Sequence, residues 1–146
     1  MKVRLFLFLL PIFAAAMENP DTKKVQQFSF QTAIVEKLSD KISRQYFYGQ
    51  NEMIARFVLK KGAVIPKHNL ASEQISYILS GSVKVTTNDT VYMVSSGEVL
   101  IIPPNVPYMF EALEDTIDID VFSPPRQDWI EGNDNYLKQG STTGAK

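Results

Sequence analysis

Apolar and polar residues alternate in short runs along most of the chain, and no stretch keeps the 3.6-residue apolar period of a substantial helix. Turn-forming residues such as Gly62, Gly81, Gly97 and the Pro103-Pro104 pair separate these runs. The pattern predicts β-strands over residues 28–35, 43–48, 52–59, 74–79, 82–87, 90–94, 98–102, 108–111 and 116–122. Many short strands at a spacing of about ten residues predict an all-β sandwich or barrel and not a parallel α/β sheet.

The first sixteen residues have the organisation of a secretory signal peptide. Lys2 and Arg4 precede an apolar run over residues 5–13, and small residues at 14–16 fit a cleavage site after Ala16. The alternative is a membrane anchor, but the apolar run is shorter than the roughly 20 residues that a spanning helix needs. We therefore expect an exported protein, periplasmic or secreted, without membrane attachment after cleavage.

The rest of the chain divides into an arm, a barrel and a tail. Residues 17–42 are interpreted as an N-terminal arm and first strand, residues 43–130 as the barrel, and residues 131–146 as a polar C-terminal tail. A length of 146 residues supports a single domain with a sizeable core.

Charge and residue counts remove several classes of function. The 15 basic and 16 acidic residues leave a net charge of -1, which gives no electrostatic reason to bind nucleic acid. The absence of cysteine excludes disulfides, thiolate metal sites and cysteine nucleophiles. The single histidine excludes a metal site that takes two or more histidines from one chain.

Two segments carry a family resemblance. Gly62, His68, Gln74 and Gly81 follow the spacing of the first cupin motif, in which a glycine precedes a His-x-His pair, a Glu or Gln and a second glycine. The second segment is similar to the other cupin motif at Gly97, Pro103, Asn105 and Tyr108, where Asn105 replaces a glycine. The resemblance implies a single double-stranded β-helix, which is the cupin jelly-roll barrel.

The metal-ligand positions of these motifs are only half retained. The family commonly uses two histidines and a Glu or Gln from the first motif, and a histidine from the second. His68 and Gln74 stand at two of these positions, whereas Leu70 and Tyr108 replace the other two histidines. Two protein ligands make a weak site for a divalent transition metal, which usually takes three or four. The resemblance implies His68 and Gln74 as the ligands of any divalent transition metal, which we expect not to be tightly bound. Without a metal, His68 is either a pocket hydrogen-bonding residue or a structural one.

A narrower resemblance lies near the C-terminal end. Asp120, Phe122 and Arg126 have the spacing found in the small pectin-degradation cupins, which convert 4,5-unsaturated monouronates into linear keto-sugars. The resemblance implies that Asp120 and Arg126 are catalytic, and that His68, Gln74, Tyr108 and Phe122 bind the ligand. An arginine suits the substrate carboxylate, and a carboxylate suits the transfer of the ring-opening protons.

The same segment has an ordinary structural interpretation. Ile117, Ile119 and Val121 alternate with Asp118 and Asp120, so the apolar set would form the core and the carboxylates would be solvated. Arg126 would then be a surface residue stacked on Trp129.

Two functions remain open on the sequence. The first is an enzyme that acts on a sugar acid such as an unsaturated uronate, and the second is a metal-free module that binds a small carboxylated or polar ligand without turnover. We also expect a homodimer, because edge strands need cover and Phe28, Phe30, Ile34 and Phe47 form an apolar alternation near the N-terminus.

Overall fold

The computed structural model describes residues 23–134, so the expected signal peptide and residues 135–146 of the expected tail lie outside the described part. Ten strands and one helical turn follow each other along this part of the chain. They are β1 Glu36–Lys37, β2 Ile42–Tyr48, β3 Met53–Leu59, β4 Val64–His68, β5 Glu73–Ser80, β6 Ser82–Thr87, β7 Val91–Ser95, β8 Val99–Ile102, β9 Tyr108–Ala112, β10 Thr116–Ser123 and α1 Gln127–Ile130.

The strands form two antiparallel sheets. The six-stranded sheet has the order β1-β2-β3-β10-β5-β8, and the four-stranded sheet has the order β4-β9-β6-β7. Consecutive strands repeatedly pass from one sheet to the other, and the two inner faces enclose a lumen. This arrangement confirms the prediction of an all-β jelly-roll barrel.

Strict alternation of inward and outward side chains builds the core. In β3 the inward residues Met53, Ala55, Phe57 and Leu59 are all buried, and the outward Ile54 is exposed. A period of two residues places every second side chain on the same face of a strand. The inner faces of both sheets therefore supply one continuous apolar cluster around the lumen.

The prediction of a strand over residues 28–35 is wrong. The backbone turns there instead, with the N–H groups of Thr32 and Ala33 donating to the Ser29 carbonyl oxygen and that of Gln31 donating to Ser29 Oγ. Serine side chains offer such local partners to the backbone and compete with strand pairing. The first strand is β1, and Phe28 stacks on Phe47 with ring centroids 4.9 Å apart.

Strand β4 has no counterpart in the sequence prediction, because Pro66 lies in its middle. Proline cannot donate a ladder hydrogen bond and is tolerated mainly in edge strands. β4 is indeed the edge strand of its sheet, and its pairing with β9 shifts register between Ile65 and His68.

Helix α1 spans four residues, which is too short for a 3.6-residue period to show in the sequence. Within residues 23–134, no helix has the length and apolar character needed to cross a membrane.

Gly81, between β5 and β6, is the tightest turn of the barrel. Its φ is +83°, and a Cβ built there would meet the Asp115 carbonyl oxygen at 2.5 Å and the Thr116 Cα at 2.8 Å. Gly97 has a similar φ of +88°, but a Cβ there would have no neighbour within 4 Å. An alanine at Gly97 would therefore suffer backbone strain alone, whereas an alanine at Gly81 would suffer both backbone strain and a steric clash.

We expect Gly81→Ala to destabilise the protein far more than Gly97→Ala. Gly97→Ala should lower the free energy of unfolding by about 1–2 kcal/mol, the cost of a left-handed residue with a Cβ. Gly81→Ala adds a clash with backbone atoms that cannot move aside. Urea unfolding of both variants measures the difference, and equal losses would show that β10 shifts to make room.

Candidate functional site

The lumen between the sheets holds the candidate site. The lumen is narrow: its cavity volume is about 20 Å³, which is room for about one water. Polar and aromatic side chains from both sheets and from the segment after β10 line it: Phe57, Ile65, His68, Gln74, Tyr108, Phe110, Asp118, Asp120, Phe122, Arg126 and Trp129.

The inner face of β10 carries two carboxyl groups. Asp118, Asp120 and Phe122 point into the barrel and are buried, whereas Ile117, Ile119 and Val121 lie half-buried on the outer face. The ordinary interpretation of this strand, with solvated carboxylates and an isoleucine core, is therefore wrong. β10 lies between β3 and β5, so both carboxyl groups are far from either edge of the sheet.

Asp120 is held by donors from the neighbouring strand β5. Ser76 Oγ donates to Asp120 Oδ1 at 2.5 Å, and Gln74 Nε2 donates to the same oxygen at 3.0 Å. Burial raises the pKa of Asp120 to about 6, although these two hydrogen bonds and the Arg126 charge oppose the rise. Asp120 can therefore both accept and return a proton near neutral pH.

Asp118 has no such donors. Its cross-strand neighbours are Phe57 and Ile78, and its Oδ1 has no hydrogen-bond partner among residues 23–134. Burial, and then the charge of Asp120, raise the pKa of Asp118 well above its ordinary value. Asp118 is not among the residues that the sequence pattern indicated for the site, although its position two residues before Asp120 on one strand face could have indicated it.

Gln74 and His68 converge on one atom. The Tyr108 hydroxyl contacts the side-chain oxygen of Gln74, and it lies 3.1 Å from His68 Nε2. The hydroxyl has one proton and faces two acceptors, so it donates to one of them at a time. These contacts link β4, β5 and β9 across the two sheets.

The protonation of His68 follows from its second contact. Nδ1 lies 2.7 Å from the Pro66 carbonyl oxygen, which can only accept, so Nδ1 carries the ring proton. Desolvation lowers the pKa of His68, against the opposing effect of that hydrogen bond. His68 is therefore neutral at physiological pH, with Nε2 as an acceptor.

Arg126 closes one end of the lumen together with Asp128 and Trp129. Its Nε donates to Asp128 Oδ1 at 2.8 Å and its Nη2 to Asp128 Oδ2 at 2.5 Å. Its guanidinium carbon lies 4.7 Å from the centroid of the Trp129 ring, and that of Arg44 lies 4.2 Å away. The stacking on Trp129 that the sequence suggested is present, but Arg126 is buried and not a surface residue.

Each residue that the sequence proposed for the site lines this lumen: His68, Gln74, Tyr108, Asp120, Phe122 and Arg126. Leu70 is buried in the apolar cluster and offers no donor atom. No group of three His, Cys, Asp or Glu side chains within the described residues could hold a metal ion. The functional roles of the six residues remain predictions.

The fold and the site together define a single-domain jelly-roll barrel with a polar cluster in its lumen. The family model described as the cupin domain matches residues 55–123, from β3 to the end of β10. Residues 55–123 therefore form a cupin domain. None of the curated proteins matches it.

Solved structures of similar fold support this assignment. KdgF from Halomonas sp. is 25% identical with a TM-score of 0.67, over 71% of this chain and 99% of that one. An RmlC-like cupin from Shewanella frigidimarina is 26% identical with the same TM-score, over 72% and 96%. An oxalate decarboxylase from Lactobacillus farciminis, at 18% identity and a TM-score of 0.63 over 73% and 38%, shares the fold alone.

We expect the stability of the parent relative to Asp120→Asn to fall as the pH rises from about 4 to about 6 and to level off above about pH 7. Because the pKa of Asp120 is about 6 in the folded protein, against an ordinary 3.8, the folded state is favoured below this interval and loses that advantage above it. The free energy of unfolding should fall by about 3 kcal/mol, because each unit of difference between the folded and unfolded pKa values corresponds to about 1.4 kcal/mol. Urea unfolding at several pH values measures it.

Asp115→Asn is the matched control. This exposed carboxylate accepts the Lys61 backbone N–H and the Lys60 ammonium group, which lower its pKa, so its titration is complete below that interval. Its stability curve should run parallel to that of the parent above about pH 5. A parallel curve for Asp120→Asn as well would show that Asp120 is not desolvated.

Proposed function

We propose that the protein is an exported cupin that opens the ring of a 4,5-unsaturated monouronate without a resident metal ion. One observation carries the proposal: Asp120, Phe122 and Arg126 line the same lumen as His68 and Gln74. The resemblance to the pectin-degradation cupins implies this set of residues. The similarity to KdgF from Halomonas sp. supports the same class of protein.

Asp120 is the proposed base. The donors Ser76 and Gln74 both bind Oδ1 and fix the orientation of the carboxylate. A base whose pKa lies near the working pH combines a useful ionised fraction with enough basicity to take a proton.

The reaction is an isomerisation and needs no co-reactant. Asp120 takes the proton of the anomeric hydroxyl, the aldehyde C=O forms, and the bond between the anomeric carbon and the ring oxygen breaks. The ring oxygen leaves as the oxygen of an enolate that is conjugated with the carboxylate. The proton then returns from Asp120 to carbon 4, which leaves a ketone at carbon 5.

Arg126 is proposed to hold the substrate carboxylate. Asp128 already accepts from Nε and Nη2 of the guanidinium, so the substrate carboxylate would share or replace a partner from the chain. Phe122 would pack against an apolar face of the ring. Because the lumen has room for about one water, the side chains that line it have to move apart when a sugar ring enters.

The donor set of the site does not fit a transition metal. His68 Nε2 and Gln74 both point at the Tyr108 hydroxyl, which lies between them, and the Leu70 side chain has no lone pair. A neutral phenol is a poor ligand for a divalent ion. The proposed reaction therefore uses only the protein's own acids, bases and hydrogen bonds.

The alternative is a metal-free module that binds a small carboxylated or polar ligand without turnover. The hydrogen bonds from Ser76 and Gln74 to Asp120 favour it, because they lower the pKa of the proposed base and so weaken its ability to take a proton. The two functions share a ligand class and differ in turnover.

Export and dimerisation are part of the proposal. The signal-peptide pattern of residues 1–16 supports export. Tyr77, Leu79, Val99 and Ile101 leave exposed apolar side chains on the outer face of β5 and β8, which supports a homodimer.

We expect the parent to accelerate the loss of ultraviolet absorbance of a 4,5-unsaturated galacturonate monomer above the rate without protein. Asp120→Asn should lower kcat at least about a hundredfold, because it keeps the acceptor oxygen but removes the base. Arg126→Ala should mainly raise KM, since it removes the carboxylate contact. Asp115→Asn, on the exposed turn before β10, serves as the unaffected control.

Binding without acceleration would establish the binding module in place of the enzyme. Equal rates for the parent and Asp120→Asn would contradict the assigned base. Proton NMR of the product distinguishes ring opening from any other loss of the double bond.

We expect substoichiometric metal in untagged protein and no effect of a chelator on turnover. Leu70→His together with Tyr108→His should create a four-donor site with His68 and Gln74, and should raise the affinity for zinc by orders of magnitude. Calorimetry with zinc compares the double variant with Leu70→His alone. Stoichiometric metal in the parent would contradict the proposed metal-free site.

A further inference from the structure

Two buried polar atoms in the wall of the lumen lack a partner within residues 23–134. They are Oδ1 of Asp118 and Nε1 of Trp129. Buried polar atoms in folded proteins are nearly always hydrogen-bonded, and those that are not call for a water, an ion or a ligand. Oδ1 of Asp118 accepts a hydrogen bond, or donates one if it carries the carboxyl proton, whereas Nε1 of Trp129 only donates.

The position of Asp118 relative to Asp120 follows from the strand. Only Ile119 stands between them in β10, so Asp118 lies about 7 Å further along the barrel, away from Arg126. The charge of Arg126 lowers the pKa of Asp120, whereas the only charge that acts appreciably on Asp118 is that of Asp120. The lumen therefore has the Arg126–Asp128 ion pair at one end and a carboxyl group beyond Asp120.

The neighbours of Asp118 cannot satisfy it. Phe57 on β3 and Ile78 on β5 flank it and carry no polar side-chain atom. Asp120 has Ser76 as the equivalent neighbour on β5, and Ser76 donates to it. The partner that Asp118 lacks can reach it only through the lumen.

We propose that Asp118 forms a second subsite, which binds a hydroxyl group of a ligand whose carboxylate lies at Arg126. The role rests on the proposed function, and it selects polyhydroxylated acids over plain carboxylates. A neutral carboxylic acid at Asp118 both donates its O–H and accepts from a ligand hydroxyl, as burial among apolar neighbours requires. Trp129 Nε1 donates to a ligand oxygen near the Arg126 end.

A resident water is the competing occupant of this subsite, because the lumen has room for about one. A water that stays in place would satisfy Asp118 without giving it any role in ligand choice. Displacement of that water by a ligand hydroxyl replaces its hydrogen bonds, whereas a ligand without hydroxyl groups cannot replace them.

The test compares two non-reacting probes by calorimetry. D-Galacturonate carries hydroxyl groups, and cyclohexanecarboxylate is a carboxylate on a ring of the same size without them. Asp118→Val should weaken D-galacturonate about tenfold or more and leave cyclohexanecarboxylate within about threefold. Asp118→Asn, which still donates and accepts, should retain most of the affinity for D-galacturonate. Circular dichroism and thermal unfolding check the fold of both variants.

Three results would overturn the inference. The first is unchanged D-galacturonate binding by Asp118→Val, which would assign Asp118 to a resident water. The second is an equal loss for both probes, which would indicate general damage to the lumen. The third is a parent that does not distinguish the probes, a result that needs no variant to fold. In each case turnover of the unsaturated uronate by the parent still tests the proposed function separately.

Discussion

The inner face of β10 is the constraint on which the site depends. This strand lies between β3 and β5, so its alternate residues must enter the lumen, and two of them are carboxylic acids. Once Asp120 is buried there, it needs donors, and Ser76 and Gln74 provide them from the adjacent strand. The use of the Gln74 amide nitrogen on Asp120 turns its oxygen towards Tyr108, whose hydroxyl in turn reaches His68. A chain of hydrogen bonds thus spans both sheets from a single buried carboxylate.

The buried ionisable side chains of the barrel differ in how many polar partners they have. Arg44 is buried beside the carboxylates of Glu36 and Asp134, and its guanidinium also lies over aromatic rings. Asp120 has two hydrogen-bond donors, whereas Asp118 has only apolar neighbours. Burial of a polar group without a partner costs about 1–3 kcal/mol, so Asp118 is a net loss for the folded chain alone. Apolar packing around the lumen offsets that cost.

The fold was predictable because local turn residues mark where most of its strands begin and end. Gly81 separates β5 from β6, and β8 ends at Ile102 before the two prolines, as the turn residues indicated. The strand over residues 28–35 failed because Ser29 binds its own backbone, and β4 was missed because Pro66 interrupts it. The orientation of Asp120 could not come from periodicity alone, since the isoleucine face of β10 is the more apolar one. Hydrogen bonds between strands distant in sequence decide which face turns inward.

Trp129 gives the lumen an optical property. It is the single tryptophan of the chain, and it packs edge-on against Phe57 and Phe122 at 3% exposure. All indole emission therefore originates in the wall of the site and not in some distant part of the barrel. Burial of the ring keeps that emission at short wavelength, and any outward movement of the turn that carries Trp129 exposes the ring to solvent and moves the emission to longer wavelength. Trp129 fluorescence therefore detects the opening of the lumen without an added label.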